Sequence, residues 1–112
     1  MRRSSAARAL RASAPTFAAL GDETRLQIVA RLCEEGPLSI TRLAEGSNVS
    51  RQAVTKHLRV LADAGLAANA RDGRENVWKI EPRALVEARG YLEDISRHWD
   101  QTLRRLKAYV EA

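Results

Sequence analysis

The sequence predicts a mainly helical fold that carries one small β-hairpin. Ser39 and Ser50 are typical helix N-caps. Gly46 and Gly65 can end the two helices that these serines begin, and a left-handed helix end is expected at Gly46 because glycine adopts it without a side-chain clash. The result is a short helix, a tight turn and a longer helix. After Gly65 two short runs flank an Asp-Gly pair, which is a strong hairpin signal. Helix, turn, helix and hairpin in this order predict a winged helix-turn-helix with the elements α-α-α-α-β-β-α.

The first third of the chain is expected to hold an arm and two helices. Residues 1–12 are rich in alanine and arginine, and would form a basic arm that is either a frayed helix or disordered. The folded domain would span 13–112. It would open with a helix that starts at Ser13–Pro15, because proline fits the first turn of a helix. The next helix, 23–35, would be capped by Asp22.

Composition and charge limit the kind of protein. The single cysteine, Cys33, excludes an internal disulfide and fits a reducing compartment; it completes an apolar helix face, so we expect a buried structural thiol. No apolar run is long enough to span a bilayer and no secretory signal is evident, so a cytoplasmic protein is expected. The formal charge is +5. The surplus lies on the arm and the helix-turn-helix, where a polyanion would bind.

The second helix of the turn motif has two chemically different faces. Val54, Leu58 and Leu61 recur at helical spacing and predict the side that packs on the core. The opposite side is polar and basic, which suits phosphates and base edges, although a merely solvated face would have the same composition. The candidate DNA-binding residues, including two arginines of the hairpin, are Ser50, Arg51, Gln52, Thr55, Lys56, His57, Arg59, Arg71 and Arg74.

The hairpin is expected to form from 66–71 and 74–80. The turn would be Asp72-Gly73 in the type I′ conformation, with Arg71 and Arg74 at the tip. Alternation along the strands predicts one inward face, made of Leu66, Ala68, Ala70, Trp78 and Ile80. A hairpin directly after a recognition helix is a wing, and arginines at its tip could reach the DNA backbone or the minor groove.

The last helix, about 83–111, is expected to form a dimer interface. Pro82 opens it, and apolar residues then recur by threes and fours over nearly its whole length. A helix this long cannot bury the whole face against so small a body, although packing on its own core alone is the simpler alternative. The predicted dimer contacts are Phe17, Leu85, Leu92, Ile95, Trp99, Leu103 and Leu106.

Three segments of the chain resemble the ArsR family of bacterial winged-helix repressors. They are the run LGDETRLQIV at 20–29, the run from Ser50 to Leu66, and RDGR at 71–74 together with Trp78. The resemblance implies a homodimer that binds an inverted repeat near a promoter and is released by an effector.

By position, the resemblance places four residues of the second helix where the family's recognition helix meets DNA, namely Ser50, Gln52, Thr55 and His57. Arg71 and Arg74 fall on the wing. His57 lies at the side of the helix rather than on its outer face. We therefore expect His57 to contact a phosphate or to link the helix to the wing, rather than to read a base.

The chain departs from the metal-sensing members of the family. Those members carry a Cys-x-Cys pair on the helix before the turn, and the segment 38–43 here, LSITRL, has no sulfur or imidazole. Others bind zinc between their last helices through Asp and His. Asp94 and His98 could supply two ligands per chain and four across a dimer. Helical spacing produces such pairs anyway, so we expect no metal and no cofactor, and the effector stays unassigned.

The expected function is that of a sequence-specific DNA-binding transcriptional regulator, a repressor acting as a homodimer on a near-palindromic operator. Two alternatives remain open. One is a winged-helix module that binds another protein through the apolar face of the last helix. The other is a zinc-responsive repressor that uses Asp94 and His98 across the dimer. An enzyme is not expected, because the sequence has no Cys–His or Ser–His arrangement and no phosphate-binding loop.

Overall fold

A computed structural model describes residues 2–111, with side chains described at 8 and 11–111. Its elements follow the predicted order, which confirms the fold class of five helices and a hairpin. They are α1 (Arg2–Leu20), α2 (Glu23–Glu35), α3 (Ile40–Glu45), α4 (Arg51–Asp63), β1 (Ala67–Asp72), β2 (Glu75–Ile80) and α5 (Pro82–Glu111). Within these residues, none of the helices is long and apolar enough to cross a lipid bilayer.

Helix α1 begins earlier than the sequence suggested. The predicted start at Ser13–Pro15 is wrong, because the helix runs without a break from Arg2 through Pro15 to Leu20. Alanine-rich sequence on both sides of the proline has high helix propensity. Ser13 and Thr16 are buried, and packing of α1 along α5 holds the helix through the position where proline cannot donate a hydrogen bond. The division of the chain into arm and domain at residue 12 stays a prediction.

The core lies where α2, α3 and α4 meet. Leu43, Leu58 and Leu61 are almost completely excluded from solvent, and Val54 adds the first turn of the α4 core face. The predicted inner side of α4 is therefore confirmed. Because this side is held by a continuous apolar layer, the opposite side of the helix must face outward.

Helix α2 has its predicted bounds, but Cys33 is not part of the face that it buries. Asp22 caps it by accepting a hydrogen bond from the backbone N–H of Arg25 at 3.0 Å. The buried stripe is Ile28, Val29 and Leu32. Cys33 is exposed, so the expected buried thiol is wrong. At 100° per residue, Cys33 lies about 90° from the middle of that stripe, and the α2 helix turns it to the outside.

The caps of the helix-turn-helix are confirmed at both serines. The Ser39 and Ser50 hydroxyls accept hydrogen bonds from the N–H groups of Arg42 and Ala53, at 3.2 and 3.1 Å. Gly65 has φ +76°, the left-handed conformation expected after α4. Gly46 does not: its φ is −93°, so the left-handed helix end predicted there is wrong.

The hairpin is confirmed, but its turn lies one residue further along the chain. Asp72 pairs with Glu75, so the two-residue turn is Gly73-Arg74 rather than Asp72-Gly73. Gly73 has φ +65°, and no other kind of residue in the described chain has a positive φ. A type I′ turn would force Arg74 into positive φ, whereas type II′ needs it only at the first position, where glycine stands. The predicted type I′ turn is therefore wrong.

The strand register also changes the predicted inward face. Ala70 lies opposite Val77, and Asn69 lies opposite Trp78. Opposite residues of an antiparallel pair point to the same face, so Trp78 shares its face with Asn69 rather than with Ala70. Trp78 also exchanges backbone hydrogen bonds with Leu38, at 2.8 and 3.0 Å, which ties the base of the wing to the segment before α3.

Helix α5 packs on α1 over its first part only. The rings of Phe17 and Tyr91 meet with their centres 6.2 Å apart, and Ala88 is the one buried residue of α5. From Leu92 to Glu111 every residue of the helix is exposed. The described fold is accordingly elongated, with a longest extent of 66 Å.

Candidate nucleic-acid interface

The outer face of α4 presents free polar groups to solvent. Arg51, Gln52, Lys56 and Arg59 are exposed, as predicted. Among the described residues, none of the three cations Arg51, Lys56 and Arg59 forms an ion pair with an acid. Their charge is therefore available to an external polyanion.

Two hydroxyls at the start of α4 are already used within the helix. Ser50 accepts the cap hydrogen bond, which leaves its O–H free to donate. Thr55 donates its O–H to the backbone carbonyl of Arg51 at 2.8 Å. The Thr55 hydroxyl can therefore accept a further hydrogen bond but has no proton left for a phosphate oxygen.

The wing tip carries charges of both signs. Arg71 lies on β1 and Arg74 occupies the second position of the turn, and both are exposed. Asp72 and Glu75, which pair with each other across the strands, are the chain neighbours of these two arginines. The net charge of the tip is thus close to zero. Any attraction to a polyanion depends on the direction in which the two arginine side chains extend.

His57 is directed away from the outer face. Its Nδ1 lies 3.3 Å from Nη1 of Arg25 and 3.9 Å from Oδ2 of Asp22, both at the start of α2. About a quarter of its side chain, 23%, is exposed. The polar contacts of His57 within the described residues are therefore with α2 rather than with the wing, and a contact with phosphate stays a prediction.

Arg25 is a residue that sequence reasoning did not single out. Besides Nη1 at His57, its Nε donates to the backbone carbonyl of Ala19 at 2.6 Å. The only sequence signal was its place three residues after the cap Asp22, on the same turn of α2. Its partners are 6 and 32 residues away, so the bond to His57 is not visible in any local pattern.

The carboxylate of Asp22 is stabilised as an anion. Its pKa lies below the ordinary value of 3.8, first because the backbone N–H of Arg25 donates to it and then because the positive guanidinium of Arg25 is close. Asp22 therefore stays ionised at neutral pH and supports the start of α2 electrostatically.

Comparison with known proteins agrees with this geometry. A family model described as a helix-turn-helix domain matches residues 20–68. The chain is 40% identical over 85 residues to the HTH-type transcriptional regulator Rv2034 of Mycobacterium tuberculosis, covering 76% of each. It is 33% identical over 81 residues to the arsenical resistance operon repressor of Escherichia coli, covering 72% of this chain and 69% of that protein.

A solved structure gives the same result. The ArsR-like transcriptional regulator from Rhodococcus sp. RHA1 is 37% identical, with a TM-score of 0.75, covering 88% of this chain and 92% of that one. This chain belongs to the ArsR family of helix-turn-helix transcriptional regulators. As a member, it is a DNA-binding transcriptional regulator.

The candidate zinc ligands of this ArsR-family protein lie one turn apart on α5. The carboxylate of Asp94 pairs with Arg97 on the same helix, and Nδ1 of His98 donates to the backbone carbonyl of Asp94 at 2.8 Å. Over the part of the chain that the structure describes, no three His, Cys, Asp or Glu residues are grouped so as to hold a metal ion. The Nδ1 contact leaves Nε2 of His98 free to accept, and the alternative with two ligands from each of two copies stays a hypothesis.

The predicted dimer contacts fall into two groups. Phe17 and Leu85 are partly buried where α1 meets α5. The other five form an exposed apolar stripe that we call the α5 seam, and between 44 and 61% of each is exposed. The seam consists of Leu92, Ile95, Trp99, Leu103 and Leu106.

Proposed function

We propose that this ArsR-family protein is a transcriptional repressor that binds a near-palindromic operator as a homodimer. The observation that carries the proposal is the outer face of α4, where Arg51, Lys56 and Arg59 are exposed and form no ion pair with any side chain that the structure describes. Gln52 lies among them. Gln52 can hydrogen bond an adenine edge and Arg59 a guanine edge, while the lysine suits phosphate. Action on a promoter places the protein in the cytoplasm.

The homodimer is supported by the α5 seam. Five large apolar side chains in one stripe are costly to leave in water, and each buried leucine- or isoleucine-sized group is worth roughly 1.5–3 kcal/mol. A second copy of the same helix offers a matching apolar stripe. A two-fold axis along this interface would direct the two recognition helices into successive major grooves, about 34 Å apart.

The first test is fluorescence anisotropy with the duplex upstream of the protein's own gene and a scrambled duplex of equal length. We expect tight binding to the first duplex, weak binding to the second, and a steep fall of both affinities with salt, because arginine and lysine displace counterions. Equal and weak binding to both duplexes would contradict the proposal. A module that binds another protein would then be the better explanation.

Zinc forms a separate arm of the same experiment. Because the Asp94 carboxylate pairs with Arg97 on its own helix, we expect added zinc to leave operator affinity unchanged. A zinc-dependent loss of affinity that disappears in His98→Gln would instead establish the metal-responsive alternative.

A further inference from the structure

We propose that Arg25 and His57 form a positioning link that sets the angle of the recognition helix against α1. This inference rests on the proposed function, because the angle matters only if two copies of α4 must fit one operator. It assigns to His57 a role different from contact with DNA. It also gives a role to Arg25, which lies outside the DNA-facing surface.

One guanidinium connects three helices. Arg25 extends from the first turn of α2 and donates through Nε to the carbonyl of Ala19, in the last turn of α1, at 2.6 Å. Its Nη1 donates to Nδ1 of His57, in the middle of α4, at 3.3 Å. The planar guanidinium holds its donors in a fixed geometry, so these two bonds fix the relative placement of their acceptors.

The link requires His57 to be an acceptor at Nδ1. The neutral ring with its proton on Nε2 meets that requirement, and Arg25 always carries a proton to donate. The charged groups that face His57 come from α2 and are Arg25 itself and the carboxylate of Asp22, whose Oδ2 lies 3.9 Å from Nδ1. Helix α1 contributes the Ala19 carbonyl on the far side of the guanidinium.

The boundary between α1 and α4 is only partly closed. Ala19 of α1 belongs to the same buried core as Leu58 and Leu61 of α4. Beside it, an open groove of about 400 Å³ is lined by Pro15 and Ala18 of α1 and by Val60 of α4, which is 40% exposed. Because apolar contact is not directional, the hydrogen bonds of Arg25 supply the directional part of the contact between these helices.

The angle matters because α1 runs along α5, which carries the α5 seam. In a dimer built on that seam, any rotation of α4 against α1 changes the distance between the two recognition helices. An operator offers its half-sites at one fixed spacing. The link should therefore control how sharply the protein selects half-site spacing, not how strongly it attracts phosphate.

The experiment compares His57→Leu, His57→Asn, Arg25→Gln and the double variant His57→Leu/Arg25→Gln, each as the full chain. We expect each of His57→Leu and Arg25→Gln to weaken operator binding about tenfold, the size expected for a hydrogen bond to a charged group. The double variant should lose no more operator affinity than a single variant loses, because the two residues act through one bond. His57→Asn should retain most of the affinity, since its side-chain oxygen can take the place of Nδ1.

Two readouts separate positioning from a general loss of structure. The first is the ratio of affinities for the native operator and for an operator with one base pair inserted between the half-sites, which should fall toward one in His57→Leu. The second is the slope of log affinity against log salt, which should stay unchanged in His57→Leu and fall by about one in the control Lys56→Gln. If thermal unfolding shows that His57→Leu does not fold, Arg25→Lys is used in its place. A single ammonium cannot hold both acceptors in the geometry of the guanidinium, so we expect the same loss of operator affinity and of spacing selectivity.

Each outcome decides the question. A reduced salt slope in His57→Leu would overturn the inference and make His57 a phosphate contact. Additive losses in the double variant, or an unchanged spacing ratio, would also overturn it. Failure of the proposed function itself is recognised separately, because the unmodified protein would then not distinguish operator from scrambled DNA.

Discussion

At Gly46 the need for glycine comes from a neighbouring side chain. Its φ of −93° is open to any residue, but a Cβ there would lie 2.5 Å from Nη1 of Arg31. That nitrogen donates to the carbonyls of Arg42 and Leu43, at 3.2 and 3.0 Å, and so caps the C-terminal end of α3 from α2. The small residue makes room for a cation that joins two helices.

Gly46→Ala should therefore lower the free energy of unfolding by about 1 kcal/mol, because Arg31 must leave its carbonyls. In an Arg31→Ala background the same substitution should be nearly neutral. Gly65→Ala is the control: its φ of +76° strains any other residue by about 1–2 kcal/mol, and nothing lies within 4 Å of the added Cβ. Urea unfolding at one protein concentration measures the unmodified protein, the three single variants and the double variant. Equal losses for Gly46→Ala in both backgrounds would contradict this explanation.

Asp22 should make stability depend on pH in the acid range. Its folded-state pKa lies below 3.8, so its contribution is fully present above the unfolded-state pKa and is lost as pH falls through the folded-state value. Asp22→Asn keeps an oxygen that can cap α2 but cannot ionise. The stability advantage of the unmodified protein over Asp22→Asn should be constant from about pH 5 to 7 and shrink below about pH 4. An advantage that stays constant to pH 2 would contradict this assignment.

Gln52 should read a base rather than hold the backbone. Its side chain is exposed on the outer face of α4, and a glutamine that pairs with adenine contributes about 1–3 kcal/mol of discrimination. Gln52→Ala should weaken operator binding and leave scrambled DNA unaffected, as measured by anisotropy. Equal losses on both duplexes would show that Gln52 is not a base reader.

At the scale of the element, the wing is placed by glycine and by backbone pairing. Gly73 supplies the positive φ of the turn, and the bridge between Trp78 and Leu38 fixes the base of the hairpin. The hairpin could be predicted because the Asp-Gly signal is local. Its exact register could not, because a shift of the turn by one residue re-pairs both strands and the better register depends on packing at their base.

Substitution of the wing arginines should weaken binding to every DNA sequence. Arg71→Gln and Arg74→Gln should each reduce affinity for operator and scrambled DNA by a similar factor and lower the salt slope by about 0.9. Arg104→Gln removes the same charge from the exposed far part of α5, on the side opposite the α5 seam, and should leave the slope unchanged. If Arg104→Gln has the same effect, the wing contributes only to general charge.

At the scale of the whole molecule, α5 reaches beyond the body that α1 to α4 form. The free part of this helix begins at Leu92, just after the contact of Phe17 with Tyr91. The sequence indicated the apolar period of this stripe. The structure adds that α1 covers only its beginning, which leaves the seam for a partner.

Ile95→Glu should convert the proposed homodimer into a monomer, because a charge would be buried in the middle of the α5 seam. Val86→Glu is the matched control, since Val86 is 66% exposed but lies off the seam. Light scattering should give the 12.4 kDa chain mass for Ile95→Glu and twice that mass for the unmodified protein and for Val86→Glu. A dimer that survives Ile95→Glu would place the interface elsewhere.

The sequence by itself determined the order of elements, the three capping side chains, the presence of the hairpin and the outward polar face of α4. These features depend on hydrogen bonds and periodicities within a few residues, so they can be predicted from short stretches of sequence. Only the tertiary structure decided that Cys33 faces outward, that α1 continues through Pro15, that Gly46 leaves room for the Arg31 side chain, and that His57 contacts Arg25. Each of those depends on a neighbour many residues away, and long-range packing and hydrogen bonding selected the outcome among local possibilities of similar energy.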